Sequence, residues 1–280
     1  MTESAPRRIW LCADDYGLSD GVNRAIRELI ERGRLNATSV MMVTPAIGRE
    51  AAAALQAAAA KNPRCAIGLH VTLTAPFRPL TLHFRPLDGD MFLPFEKLLR
   101  AGLLGRLDAE LVHAEVLAQL DAFHELFGRA PDFVDGHQHA QLFPQVRDGF
   151  LRAVKVRAPR AWVRQGGLNL PLTQRVTGLK TLVLDVLSTQ FRNKAARLGL
   201  RFNPTFAGAY DFTKEPDFGP LMRQFLQNLP EGGLVMCHPG FVDETLRSLD
   251  SLTTQREKEH AYLAGDDFPA LLALNKVTLA

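Results

Sequence analysis

Short apolar runs alternate with helical segments along most of this 280-residue chain. Apolar runs of about four to eight residues are typical of buried strands, and segments of about 10–15 residues at helical spacing are typical of the helices between them. This alternation predicts parallel β-α-β units. About seven units fit, which favours a single α/β domain folded as a distorted or incomplete TIM-like barrel, with an open doubly wound sheet as the alternative. The predicted strands are 9–13, 39–43, 65–70, 133–135, 162–164 and 234–237.

Composition excludes several other classes of protein. The net charge is only +3, and Lys and Arg form no cluster with interleaved aromatic residues, so we expect no nucleic-acid partner. The cysteines, Cys12, Cys65 and Cys237, are too widely spaced for a disulfide framework or a thiolate zinc site. No apolar run approaches the ~18 residues of a membrane helix, and no signal peptide precedes Ile9. We therefore expect a cytoplasmic protein without an integral membrane segment, and assembly as a homodimer is left open.

Carboxylates and imidazoles follow four of the predicted strands. Because the carboxyl ends of parallel strands gather on one face, we expect these side chains to meet at one mouth of the barrel. A lone Asp-Asp pair or a lone strand-end histidine is more often structural, so the prediction depends on the coincidence of four strand ends. The residues are Asp14 and Asp15 after the first strand, His70 ending the third, Asp135, His137 and His139 at the next, and His238 after the last.

One aspartate with two histidines is a common ligand set for a catalytic divalent ion. Imidazole and carboxylate together hold Zn²⁺, Co²⁺, Fe²⁺ or Mn²⁺ and leave positions open for water and substrate. We predict one divalent ion, with Zn²⁺ and Mg²⁺ as the leading candidates. His137 and His139 flank Gln138 and face the same side if the strand continues that far, so both could contact the ion, or one could lie behind it. Asp135 could instead orient a ligand histidine through its ring N–H.

Further residues are candidates for acid–base and substrate-binding roles. Only one member of the Asp14–Asp15 pair is needed as a ligand, and the other would take a proton from water that the ion activates. His238, on a separate strand, could donate a proton to a leaving group. Arg164 either binds substrate or an anion or forms a structural ion pair. Tyr210 either stacks on a sugar ring or an apolar tail or packs within its loop.

The ordered set of motifs resembles the YdjC-like carbohydrate deacetylases, the ChbG–HpnK family. Each motif is short, but their order over residues 9 to 240 makes the set specific. Tyr16 departs from the pattern, since that family usually has Phe at this position. The motifs are Ala13–Ser19 with Gly21–Asn23, Ile67–His70 with Leu73–Thr74, Asp135–His139 with Phe143–Pro144, and Cys237–Gly240.

The resemblance implies a distorted TIM-like barrel and hydrolysis of an N-acetyl group from an amino sugar, which is cleavage of a linear amide C–N bond. It also implies a role for each matching residue. The metal ligands would be Asp15, His70 and His137, the general base Asp14, the general acid His238, and His139 would lie outside the primary ligand set.

The substrate and two rival functions are left open. The segments 74–107 and 165–216 do not follow the characterised sugar deacetylases closely, and we predict that they are irregular insertions, within one domain over 1–280, that shape the substrate pocket. The substrate could then be an N-acetylated oligosaccharide or a glycolipid such as a hopanoid glycoside. One rival is a metal-dependent phosphodiesterase or amidohydrolase on the same barrel, which would favour a second metal or several basic residues at the mouth. The other is a non-catalytic barrel that binds sugar or metal.

Overall fold

One parallel sheet with helices packed around it forms the fold. A computed structural model describes residues 5–167, 179–227 and 229–279. In chain order its strands are β1 (Arg7–Tyr16), β2 (Ala37–Val40), β3 (Ala66–Val71), β4 (Leu87–Asp88), β5 (Met91–Phe92), β6 (Phe133–Gly136), β7 (Trp162–Val163), β8 (Phe206–Ala207), β9 (Leu234–Cys237) and β10 (Val277–Leu279).

Seven strands lie side by side in the order β7-β6-β3-β2-β1-β9-β8, and each neighbouring pair is parallel. β10 pairs with the first residues of β1, next to the stretch that pairs with β9. A parallel bridge between Val163 of β7 and Phe202, just before β8, brings the two edges of the curled sheet together. The predicted TIM-like barrel of about seven parallel strands is therefore confirmed.

Helices connect successive strands and cover the outside of the sheet. Helix α1 begins after Ser19, whose hydroxyl accepts a hydrogen bond from the Val22 N–H, and α4 ends at Gly128, which has a left-handed φ of 69°. None of the helices in the described ranges has the length and apolar content that a bilayer span requires. The helices are α1 (Asp20–Glu31), α2 (Arg49–Lys61), α3 (Phe95–Leu103), α4 (Ala109–Phe127), α5 (Val146–Arg157), α6 (Leu179–Arg197), α7 (Phe218–Gln227), α8 (Glu244–Leu249), α9 (Thr254–Ala264) and α10 (Asp267–Leu274).

β1 is longer than the sequence predicts, because it continues through the Asp pair to Tyr16. Its pairing with β2 shifts register between Ala13 and Tyr16, and Asp15 has a φ of 71°. Consecutive residues of a regular strand point to opposite faces, but an irregularity of this kind redirects a side chain. Asp14 and Asp15 can therefore both direct their carboxylates into the mouth of the barrel. A left-handed residue other than Gly costs on the order of 1–3 kcal/mol, and Asp is among the residues that tolerate it best.

The segment 74–107 follows β3 and contains the β4–β5 hairpin and α3. It is fixed by Glu115 of α4, a fully buried carboxylate that accepts hydrogen bonds from the backbone N–H groups of Leu80 and Thr81 at 3.0 and 2.9 Å. The second predicted insertion, 165–216, contains α6 and β8, and part of it lies outside the described residues. The single-domain assignment stays a prediction.

Candidate active site

Asp15, His70 and His137 meet at the C-terminal mouth of the barrel. His70 Nε2 lies 3.3 Å and His137 Nδ1 lies 3.2 Å from the same oxygen, Asp15 Oδ1. One donor atom from each residue lies within 4.8 Å of the other two. A tetrahedral ion with ligand bonds of about 2.0–2.1 Å holds its ligand atoms about 3.3 Å apart, so the two distances to Asp15 are compatible with a metal ligand set.

His70 is oriented by a second carboxylate. Asp135 Oδ1 lies 2.6 Å from His70 Nδ1, and Ser39 Oγ lies 3.0 Å from the same nitrogen. A proton on Nδ1 that is donated to Asp135 leaves the Nε2 lone pair directed toward Asp15. Burial alone would lower the pKa of His70, but Asp135 and Asp14 raise it to about 10. The same negative charges that stabilise a proton on this imidazole would stabilise a cation bound to it.

Arg256 binds the oxygen of Asp15 that does not face the two histidines. Its Nη2 donates a hydrogen bond of 2.6 Å to Asp15 Oδ2 and another of 2.6 Å to Asp250 Oδ2. Burial alone would raise the pKa of Asp15, but Arg256 and the two histidines lower it well below its ordinary value. Asp15 therefore stays ionised, with one oxygen fixed and the other facing the histidines.

Asp14 is engaged by Arg164. The guanidinium donates two hydrogen bonds, of 2.6 and 2.7 Å, to the two oxygens of Asp14, and its Nη1 also lies 3.1 Å from Asp135. Each of these three residues is at most 1% exposed. Burial alone would raise the pKa of Asp14, but Arg164 lowers it well below its ordinary value. Of the two roles open to Arg164, the contacts are those of the ion pair.

Cys12, Asp14 and Asp135 form a second group with the spacing of a metal site. Arg164 Nη1 lies 2.6 Å from Asp14 and 3.9 Å from the Cys12 sulfur, so a cation already fills the centre of this group. Burial and the Asp14 charge raise the pKa of Cys12 well above its ordinary value, which keeps it a neutral thiol. The group is a buried ion-pair network and not a second metal site.

His238 follows β9 and lies near Asp14. Its Nε2 is 4.0 Å from Asp14 Oδ2, and its Nδ1 has no hydrogen-bond partner among the described residues. The Phe212 ring stands edge-on to the imidazole, with centroids 5.2 Å apart and planes at 89°. Burial lowers the pKa of His238 to about 4, so the imidazole is neutral near pH 7.

His137 and His139 do not lie on a continued strand. β6 ends at Gly136, and residues 137–142 form a 3₁₀ turn in which Gln138 and His139 have left-handed φ values of 54° and 57°. The condition for strand parity, a strand that continues through His139, is therefore not met. His139 packs edge-on against Phe206 with centroids 5.2 Å apart, and burial together with Arg164 lowers its pKa to about 3.

Tyr210 lies beside the His238 loop, where its hydroxyl donates a hydrogen bond to Glu259 Oε1. Its ring packs against Phe212 with centroids 4.1 Å apart. The other oxygen of Glu259 accepts a hydrogen bond from the His238 backbone N–H. Tyr210 thus contacts the site through its neighbours, and its hydroxyl is already engaged.

Sequence reasoning missed Arg256 and Glu259, which both lie on α9. They are separated by three positions and therefore share a helix face with Leu263, and all three are buried. This spacing was the signal in the sequence that Arg256 and Glu259 have charged or polar partners, because charged residues on a buried helix face must be paired. Their partners are separated from them by up to 241 residues in the chain, so the sequence alone could not name them.

A family model for YdjC-like proteins matches residues 8–274. The chain belongs to the YdjC-like family. Among curated relatives of this YdjC-like chain, proteins named chitooligosaccharide deacetylase from Yersinia pestis (strain Pestoides F) and from Yersinia pseudotuberculosis serotype O:1b (strain IP 31758) are each 30% identical over 234 residues. Each alignment covers 84% of this chain and 82% of the relative.

Two solved structures share the fold of this YdjC-like chain. A protein from Enterococcus faecalis V583, provisionally assigned to cellobiose-phosphate cleavage, superposes with a TM-score of 0.73 at 20% identity, covering 99% of this chain and 97% of that one. A lactam utilization protein from Thermus thermophilus gives a TM-score of 0.54 at 16% identity, covering 97% and 98%. At these identities the likeness establishes the barrel fold.

Proposed function

We propose that this chain is a metal-dependent hydrolase that removes the N-acetyl group of an amino sugar. The observation that carries the proposal is the cluster of Asp15, His70 and His137, with the ionised carboxylate of Asp14 next to it. The curated relatives named chitooligosaccharide deacetylase support the same substrate class. The substrate proposed first is therefore an N-acetylated oligosaccharide, and a glycolipid such as a hopanoid glycoside is the second.

The donor set fits one divalent ion. His70 would bind through Nε2, His137 through Nδ1 and Asp15 through Oδ1, which are the atoms that approach one another. The remaining oxygen of Asp15 and the remaining nitrogen of His70 already have partners, as the outer contacts of metal ligands usually do. When bound, the ion would polarise the acetyl carbonyl and lower the pKa of an attacking water.

Asp14 supplies the general base in this proposal. Arg164 keeps its carboxylate ionised and fixes its orientation, so Asp14 can accept a proton from the attacking water without first losing one of its own. The carboxylate is a weak base because its pKa is low. It therefore holds the proton only briefly before passing it on.

His238 supplies the proton donor. Because its pKa is about 4, the imidazole is neutral at the start of the reaction and must gain a proton during it. Its Nε2 faces Asp14 Oδ2 at 4.0 Å, which is the direction from which that proton would come. His238 then donates the proton to the departing amine. Each acid–base role contributes about 10²–10⁴ to the rate.

The arginines at the mouth disfavour phosphodiester chemistry. Stabilising a transferring phosphoryl group requires cationic side chains or metals directed at it. Arg164 is paired with Asp14 and Asp135, and Arg256 is paired with Asp15 and Asp250. Carboxylates already balance the charge of both guanidinium groups, which favours an amide substrate over a phosphodiester.

Acetate release from metal-stripped protein that is refilled with single ions tests the proposal. N-acetylated chitooligosaccharides and N-acetylated glycolipids form separate arms, with Zn²⁺, Mg²⁺, Mn²⁺ and Co²⁺ added one at a time. We expect release to stop on metal removal and to return with at least one ion in one substrate arm. Release that survives complete metal removal, or hydrolysis of phosphodiesters without any acetate release, would contradict the proposal.

A further inference from the structure

Helix α9 ties down the loop that follows β9 and carries His238. Three backbone N–H groups of that loop donate to α9: His238 to Glu259 Oε2, Gly240 to the Arg256 carbonyl at 3.1 Å, and Val242 to Glu257 Oε1 at 3.2 Å. A Cβ at Gly240 would lie 3.0 Å from Val22 Cγ2 and 3.3 Å from Arg256 Cδ, so a larger residue would require these side chains to shift. Helix α9 therefore fixes several points of the loop, and Gly21 of α1 accepts a further hydrogen bond from the Phe241 N–H.

The imidazole of His238 has few contacts of its own to fix it. Its Nδ1 has no hydrogen-bond partner in the described part of the chain, and Nε2 is too far from Asp14, at 4.0 Å, for a hydrogen bond. Among the hydrogen bonds and ring contacts of the described residues, His238 has the bond of its backbone N–H and the edge contact with Phe212. Groups that act through these two contacts therefore help to set the direction of the ring.

Glu259 fixes both the backbone N–H of His238 and, through Tyr210, the Phe212 ring. One of its oxygens accepts the backbone N–H of His238, and the other accepts the hydroxyl of Tyr210, whose ring packs on Phe212. Glu259 is fully buried, and a buried carboxylate must have its lone pairs satisfied. A single carboxylate therefore fixes both the backbone and the aromatic neighbour of His238.

We infer that Glu259 is a positioning residue that sets the location of the His238 imidazole relative to Asp14. The inference rests on the proposed function only for its kinetic consequence, because the position of His238 can be measured without turnover. Glu259 itself touches neither substrate nor reacting atoms. It acts through the His238 N–H and through Tyr210 and Phe212.

Glu259→Gln is the decisive variant, with Glu257→Gln as its matched control. The amide is nearly isosteric with the carboxylate but has an acceptor oxygen and a donor NH₂ where the carboxylate has two acceptor oxygens, so it cannot accept from both Tyr210 and His238 in their present positions. Glu257 lies on the same helix and also accepts a loop N–H, but it is exposed and does not contact His238. Burial raises the pKa of Glu259 to about 7, so the variants are compared with wild type at pH 9, where Glu259 is ionised and Glu259→Gln removes one negative charge as Glu257→Gln does. A difference between the two variants then reports the position of His238.

Two readouts are needed. The first readout is the NMR chemical shift of the His238 backbone amide proton. In wild-type protein this proton is hydrogen-bonded to a carboxylate and should resonate downfield, and in Glu259→Gln it should move upfield. Comparison with the NMR spectrum of His238→Gln identifies the resonance of the residue 238 amide. In acetate release we expect kcat to fall roughly 10- to 100-fold, because small misplacements of a reacting group have costs of that size. KM and metal content should stay within about twofold of wild type, and Glu257→Gln should match wild type in both readouts.

Tyr210→Phe gives a second route if Glu259→Gln does not fold. It removes one hydrogen bond and leaves the Glu259 carboxylate on the His238 N–H, so we expect a smaller loss of kcat with the amide proton still downfield. An unshifted His238 amide in Glu259→Gln, or a kcat equal to that of Glu257→Gln, would overturn the inference. If wild-type protein releases no acetate, the proposed function fails, and the amide resonance alone decides the role of Glu259.

Discussion

Arg164 donates two hydrogen bonds to Asp14, at 2.6 and 2.7 Å, between residues separated by 150 positions in the chain. The same guanidinium lies 3.1 Å from Asp135, which in turn orients His70. One buried cation therefore links the proposed base to the proposed metal site. The arrangement keeps Asp14 ionised and also fixes the carboxylate that directs a ligand imidazole.

Replacing Arg164 by Met should destabilise the protein strongly. The substitution leaves Asp14 and Asp135 buried without their cation, and breaking a buried pair in this way costs about 3–5 kcal/mol. The free energy of unfolding, from urea denaturation, measures the effect. Arg160→Met is the control, because its side chain is exposed just before β7. Equal stability of the two variants would show that the network contributes nothing to folding.

The two neighbouring aspartates should respond differently to the same substitution. Asp14→Asn should retain metal and lose turnover, because it removes the base and leaves the three ligands in place. Asp15→Asn should lose both, since its carboxylate is shared by His70 and His137. Elemental analysis measures the metal content of each variant, and acetate release measures its turnover. Together they distinguish Asp14→Asn from Asp15→Asn. Equal metal loss in the two variants would contradict the assigned roles.

Arg256→Met should weaken metal binding without changing any ligand. Asp15 loses the hydrogen bond that fixes its Oδ2, and loss of an outer contact to a metal ligand typically lowers affinity about 10–100-fold. Competition with a chromophoric chelator measures the dissociation constant. Arg247→Met, at an exposed position of α8, should bind metal as the wild type does. If Arg256→Met also binds as tightly as wild type, Arg256 serves folding alone.

Acid should destabilise the metal-free protein through His238. Its pKa falls from an ordinary 6.5 to about 4 on folding, so the unfolded chain binds a proton that the folded chain does not. The corresponding stability is complete above pH 6.5 and is lost as pH falls toward 4, amounting to on the order of 3 kcal/mol. His238→Gln should make the fall in unfolding free energy over this window shallower. A variant with an unchanged slope would show that His238 titrates normally.

The barrel could be predicted because each strand is marked by its own apolar run and these runs repeat along the chain. Each apolar run, such as Ile9–Ala13, predicts a strand by itself, and parallel topology then collects Asp15, His70 and His137 at one mouth. The resemblance to the family assigned the same residues, and the family model now covers 8–274.

The details that the sequence could not supply depend on backbone turns and on distant partners. The register shift before Tyr16 and the left-handed Gln138 and His139 break the alternation on which strand parity relies. The pairing of Arg164 with Asp14 depends on three-dimensional proximity. Nothing local to a helical charge such as Arg256 specifies which distant carboxylate it will meet.

Anomalous diffraction from a crystal of the zinc-loaded protein tests the metal assignment most directly. We expect one strong peak about 2.0–2.2 Å from each of Asp15 Oδ1, His70 Nε2 and His137 Nδ1. A peak bound by other side chains, or none at these three atoms when zinc is bound in solution, would contradict the metal assignment.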